Sequence, residues 1–158
     1  MKKIFISYSW DSEEHKLWVK KIADELESNP DFHVIWDGYD LDSSIDKNMY
    51  MEQGIHNSDY ILTISTKLYQ EKANSRRGGV GIETILGTAR HFETITAEKR
   101  TSFINILREK NSTPNYLKGH FHIDFTEDSK FEENMNALLN QILGTALHSR
   151  PSKKKSDS

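Results

Sequence analysis

Ile4-Phe5-Ile6-Ser7-Tyr8-Ser9-Trp10-Asp11 reads as a short apolar run, a polar and aromatic loop, and a helix start. Three apolar residues in unbroken succession fit a strand buried on both faces, the pattern of a parallel sheet. Asp11 can cap the helix that follows, with Glu14 three positions later completing a capping box. Val19, Ile22, Ala23 and Leu26 then share one helical face, with Trp18 beside them. Asn29-Pro30 ends this helix, so the chain opens as strand, loop, helix.

The same alternation continues outward. Phe32-His33-Val34-Ile35-Trp36 is the second strand, and Asp37-Gly38-Tyr39-Asp40 has turn chemistry. Ile45, Met49 and Glu52-Gln53 suggest a modest helix ending near Asn57. Tyr60-Ile61-Leu62-Thr63-Ile64, rich in β-branched residues, is the third strand. The stretch from Lys67 to Gly81 reads as a basic loop, and a helix begins near Val80 to Ile82 with Ile85, Leu86 and Ala89 on its apolar side. Phe103-Ile104-Asn105-Ile106-Leu107 is the fourth strand, and Asn111 to Gly119 a loop. Phe121, Ile123 and Phe125 alternate with His120, His122 and Asp124, as in a half-exposed edge strand. Phe131, Met135, Leu138, Leu139, Ile142 and Ala146 form the stripe of a last helix. This order predicts an α/β fold, an open five-stranded parallel sheet with helices on both faces. Ligands in such folds bind beyond the carboxyl ends of the strands. Those ends are Ser7 to Trp10, Trp36 to Asp40, Ser65 to Lys67, and the loop after Leu107. They carry Tyr, Trp, Ser, Asp and Lys, a set suited to a polar ligand with a flat ring.

Composition narrows the function. The 158 residues suit one domain, residues 1–148, followed by a polar linker or tail at 149–158. Formal net charge is -3, from 21 basic and 24 acidic side chains, which argues against a nucleic-acid partner. There are no cysteines, so disulfides, thiolate metal sites and cysteine nucleophiles are excluded. Met1-Lys2-Lys3 runs directly into a strand with no signal-peptide pattern, and no apolar run approaches the ~20 residues of a membrane span. A cytoplasmic location without membrane attachment is expected. His120, His122 and Asp124 share a strand face, but no further ligand closes a metal site. Asp37, Asp40 and Asp42 are explained by a turn. No nucleophile-elbow sequence supports a serine triad. A phosphoacceptor would need clustered acids after the first strand, where Ser7-Tyr8-Ser9 stands instead. Taken alone, Glu83 reads as an ordinary acid at a helix start.

Three stretches change that reading. Ile4 to Asp11 resembles the first strand and loop of TIR (Toll/interleukin receptor) domains and the related SEFIR group. Val34-Ile35-Trp36-Asp37-Gly38-Tyr39-Asp40-Leu41 resembles their second strand and the BB loop after it. Ser75-Arg76-Arg77-Gly78-Gly79-Val80-Gly81-Ile82-Glu83, with Lys67-Leu68-Tyr69 and Glu71-Lys72-Ala73 before it, resembles bacterial TIR proteins, including those fused to STING-like or other nucleotide sensors. The likeness runs from about Lys2 to about Ala146. It implies a flavodoxin-like sheet and either a signalling module or an enzyme that consumes NAD+ as substrate, with no separate cofactor.

In the enzymatic branch one glutamate on the third helix acts, and Glu83 fits that position. Many such domains carry a Trp four residues before this glutamate. Here Gly79 stands there, and ring stacking passes to Tyr8 or Trp10. One carboxylate can suffice because nicotinamide in NAD+ is already a pyridinium cation and departs neutral, without the general acid that ordinary glycosidases require. The remaining task is to stabilise the ribosyl oxocarbenium ion electrostatically. The helix N-terminus favours an ionised Glu83, and desolvation opposes it. The resemblance implies Tyr8, Ser9, Trp10, Asp37, Ser65 and Arg76 as substrate contacts, with the Arg76 fork suited to the diphosphate. It also implies self-association through the loop from Asp37 to Ile45, a sensor domain beyond the tail, and a part in bacterial anti-phage defence. The product is ADP-ribose or a cyclic isomer.

Overall fold

The computed structural model describes residues 1–40, 42, 44–75, 102–144 and 151–154. Five strands form one all-parallel sheet: β1 (Lys2–Ser7), β2 (Phe32–Ile35), β3 (Tyr60–Ser65), β4 (Ser102–Leu107) and β5 (His122–Asp124). Their spatial order is β2-β1-β3-β4-β5, the flavodoxin-like doubly wound order, with β5 at an edge as its alternation predicts. The described α-helices are α1 (Glu13–Glu27), the single turn α2 (Asp37–Asp40), α3 (Lys47–Asn57), α4 (Lys67–Ser75) and α5 (Phe131–Leu143), with short 3-10 turns at Asn115–Leu117 and Asp128–Lys130.

Side-chain alternation sorts the two faces. Ile4, Ile6, Leu62, Ile64, Ile104 and Ile106 pack with Val19, Ile22, Ala23 and Leu26 of α1 and with Phe131, Met135, Leu138 and Ile142 of α5. Phe5 and Ile61, one residue out of step, face the other way and meet Ile55 of α3. On this second face α3 comes unusually close. A Cβ on Gly54 would lie 2.8 Å from two atoms of the Phe5 ring. Higher on the same face the lining turns polar and stays buried. The Ser7 hydroxyl lies 3.0 Å from the Tyr69 hydroxyl, which lies 2.7 Å from that of Tyr116. Ser65 and Thr63 both donate to Asn105 Oδ1, at 2.5 and 3.3 Å.

Three local expectations change. Ser12, not Asp11, caps α1 by accepting from the His15 amide at 3.0 Å, because Asp11 is taken by the Ser9 hydroxyl. Residues 37–40 close a full helical turn rather than an open one, with the Asp40 amide donating to the Trp36 carbonyl at 3.3 Å. The supposed loop from Lys67 is helical to Ser75. Its start is held by two partners: Thr66 Oγ1 accepts from the Tyr69 amide at 3.2 Å, and Glu109 accepts from the Lys67 amide at 2.8 Å. The proposed helix around Glu83 lies outside the described residues, as do Ala146 and most of the expected tail.

Candidate functional site

The carboxyl ends of β1 and β2 lie side by side because these strands pair in parallel, Ile4 with Val34 and Phe5 with Ile35. The loop after β1 and the turn after β2 therefore meet above the sheet. Tyr8 OH donates to Asp37 Oδ1 at 2.7 Å, and Trp10 Nε1 donates to Asp37 Oδ2 at 3.2 Å. One carboxylate is thus gripped by two aromatic side chains from the neighbouring loop. Burial, reinforced by the bond to Asp37 and its charge, pushes the Tyr8 hydroxyl well above the ordinary tyrosine range, so it remains a donor. The Tyr8 ring lies 6.5 Å from that of Trp36, which is buried and meets Tyr39 edge-on at 4.9 Å.

The turn α2 is tied down on two sides. Tyr39 OH donates to Asp24 of α1 at 2.5 Å, and Tyr50 OH of α3 donates to Asp40 at 3.0 Å. Burial first, and then the facing carboxylates, raises both hydroxyls above their usual range. Asp37 is therefore fixed by its own bonds and by those of its helical turn. Gly38 is required because a Cβ there would lie 2.2 Å from Cη2 of Trp36.

A cleft of about 280 Å³ opens beneath this array, lined by Tyr8, Trp10, Trp36, Asp37, Gly38, Lys16 and Lys20 among others. Trp10 is 49% exposed at its mouth, and the ammonium groups of Lys16 and Lys47 lie 4.4 and 4.5 Å from its ring centre. A second cleft flanks α1 on the side of β4 and β5. There the Arg108 guanidinium lies over Trp18 at 4.4 Å and donates to the Phe125 carbonyl and to Asp128. Buried His15, between Tyr8 and Trp18, has its pKa lowered mainly by desolvation, with Arg108 adding to the effect and Asp11 and Glu109 opposing it. Among the described residues, no group of three or more His, Asp or Glu side chains is arranged to hold a metal.

The structure brings Tyr8, Trp10 and Asp37 into direct contact and places Ser9 beside them, its hydroxyl shared between Asp11 and Thr66. Ser65 is set apart: it is fully buried, its hydroxyl engaged by Asn105 and its carbonyl accepting from the Arg108 and Glu109 amides. Glu83 and Arg76 lie outside the described residues. Sequence reading missed Lys16, Lys20 and Lys47. The first two share the α1 face of Ser12 at a spacing of four, a weak signal, and nothing in the sequence marks Lys47.

The class is therefore a flavodoxin-like α/β domain with an aromatic and acidic mouth at the carboxyl end of its sheet. The family model described as "TIR domain" matches residues 4–139, and the chain belongs to the TIR domain family. Among solved structures it is similar to a prokaryotic SEFIR domain, with 34% identity, a TM-score of 0.71, and 98% of this chain and 100% of that one covered. It shares its fold with the TIR domain of the Toll-related receptor TRR-2 from the lower metazoan Hydra magnipapillata. That match has 13% identity, a TM-score of 0.62, and covers 89% of this chain and 97% of that one. No curated protein matches the chain. No helix among the described residues is long and apolar enough to cross a membrane.

Proposed function

We propose that this TIR domain cleaves the nicotinamide–ribose bond of NAD+, releasing nicotinamide and ADP-ribose or its cyclic isomer, with Glu83 as the carboxylate that steadies the ribosyl cation. The observation that carries this reading is the Asp37 carboxylate fixed between Tyr8 and Trp10 beside an aromatic cleft. A flat ring finds stacking surfaces there, ribose hydroxyls find an oriented acceptor, and both groups are placed before ligand arrives, which is the form electrostatic and orientational catalysis takes. Arg76 and Ser9 are further polar contacts in this reading. Self-assembly through the loop from Asp37 to Ile45 activates the domain in response to a linked sensor, as part of bacterial anti-phage defence in the cytoplasm.

Chromatography of nucleotides after incubation with NAD+ tests it, at high protein concentration to favour assembly. The wild type is expected to release nicotinamide, and Glu83→Ala to lose release by at least about a hundredfold, the scale of removing one transition-state contact, with its unfolding temperature unchanged. No release under those conditions refutes the enzyme. A second reading, a non-catalytic module that docks other TIR surfaces, is favoured by three large side chains exposed near the Asp37–Ile45 loop: Tyr39, Ile45 and Met49. It expects self-association that is indifferent to Glu83.

A further inference from the structure

We infer that Lys16 and Lys47 form a clamp for a diphosphate, with the Trp10 indole as their common platform. The inference rests on the reading that this mouth receives a dinucleotide, and it identifies which described residues hold the phosphates. Lys16 comes from the first turns of α1 and Lys47 from the first residue of α3, so separate elements deliver both ammonium groups to one ring. The two nitrogens are at most about 9 Å apart, the sum of their distances to the ring centre. A separation within that limit is spanned by a diphosphate at the roughly 2.8 Å of a charge-assisted bond, through oxygens on its two phosphorus atoms.

Both cations are available. The Lys47 ammonium forms no hydrogen bond or ion pair among the described residues and lies over the indole. Among the described residues Lys16 pairs with Glu13 alone, three residues away, whose side chain is 87% exposed; such a surface pair is readily exchanged. Lys20, by contrast, is held at 2.6 Å by Asp24. Asp37 accepts from Tyr8 at one oxygen and from Trp10 at the other, and forms no ion pair with either lysine. The phosphates would thus be read by α1 and α3.

Calorimetric titration of ADP-ribose, AMP and adenosine into the wild type and the Lys16→Ala/Lys47→Ala double variant tests the clamp. Both lysines are on the surface, so the variant should fold normally, which its unfolding temperature checks. The wild type is expected to bind ADP-ribose more tightly than AMP, and AMP more tightly than adenosine. The double variant should lose about ten- to a hundredfold in ADP-ribose affinity, the range of lost hydrogen bonds to a charged group, and keep its adenosine affinity. Equal ADP-ribose binding by both proteins overturns the clamp. So does failure of the wild type to bind ADP-ribose, or an equal loss for adenosine, which would mark a merely structural role. Nicotinamide release separates the two ideas. Full release by the double variant at low NAD+ refutes the clamp alone; lysine-dependent ADP-ribose binding with no release at any concentration refutes the cleavage alone.

Discussion

Replacing Gly38 with alanine puts a methyl carbon where the Trp36 ring already lies. The added Cβ would stand 2.2 Å from Cη2 and 2.4 Å from both Cζ2 and Cζ3. Ordinary carbon contacts are about 3.5–4.0 Å, so ring or backbone must yield by more than an ångström. The ring has little room, since Trp36 is only 6% exposed and Tyr39 abuts it edge-on. Expelling it would uncover about 150–250 Å², roughly 4–6 kcal/mol at about 25 cal/mol per Å². Shifting the backbone of α2 is the cheaper response, about 1–3 kcal/mol for an overpacked position. Alanine's advantage in a helix returns at most about 1 kcal/mol. A net loss of about 1–2 kcal/mol follows, which lowers the unfolding temperature by about 3–6 °C for a chain of this size. Because α2 begins with Asp37, the shift also pulls the carboxylate from Tyr8 and Trp10, and any activity that uses it should fall with stability. Thermal unfolding of Gly38→Ala is the assay, with Trp36→Leu as a second background. Leucine lacks the atoms the methyl group strikes, so Gly38→Ala should cost little there. An unchanged or raised unfolding temperature in the wild-type background, or an equal loss in both, refutes the steric argument.

Two further perturbations probe the frame around the site. Gly54→Ala sets a Cβ 2.8 Å from the Phe5 ring and 3.3 Å from Ile35 Cγ2. Phe5 is 1% exposed and cannot retreat, so α3 must lift, and overpacking of about 1–3 kcal/mol outweighs about 1 kcal/mol of helix propensity. A fall of a few degrees is expected, and a rise would show that propensity wins. Burial lowers the pKa of His15 below its ordinary 6.5, so the unfolded chain binds its proton more readily than the fold does. This component of stability is complete above about pH 6.5 and is lost as pH falls towards the native pKa, with a slope of at most about 1.4 kcal/mol per pH unit. The lowered carboxyls of Asp24, Asp42 and Asp124 act only nearer pH 4 and do not obscure it. Urea midpoints at pH 7.5 and 5.5 should therefore differ more for the wild type than for His15→Phe; equal differences would refute the assignment.

β1, β3 and β4 were legible because the core of a parallel sheet demands apolar runs, β5 because an edge strand alternates, and α1 and α5 because each buries a regular stripe. The helix α4 was not. It buries only Tyr69 and Ala73, too few for a visible stripe, and Glu109, forty-two residues away, helps to fix its start. The cap of α1 was misplaced by one residue because Asp11 and Ser12 are both good caps, and only the Ser9 hydroxyl, by occupying Asp11, decides between them.

At the site, the same division holds. Strand-end positions gather Tyr, Trp, Ser, Asp and Lys, as such a fold does, but it is the resemblance to TIR domains that singles out Tyr8, Trp10 and Asp37, together with Ser9, Ser65 and Arg76. That Asp37 is shared by both aromatic donors, that Ser65 turns inward to Asn105, and that Lys16 and Lys47 converge on one indole came from the tertiary structure. Periodicity carries which face a side chain takes along its own element. The distance between two elements depends on register and on how closely their backbones pack, as at Gly54 against Phe5, and no pattern along a single strand or helix encodes that.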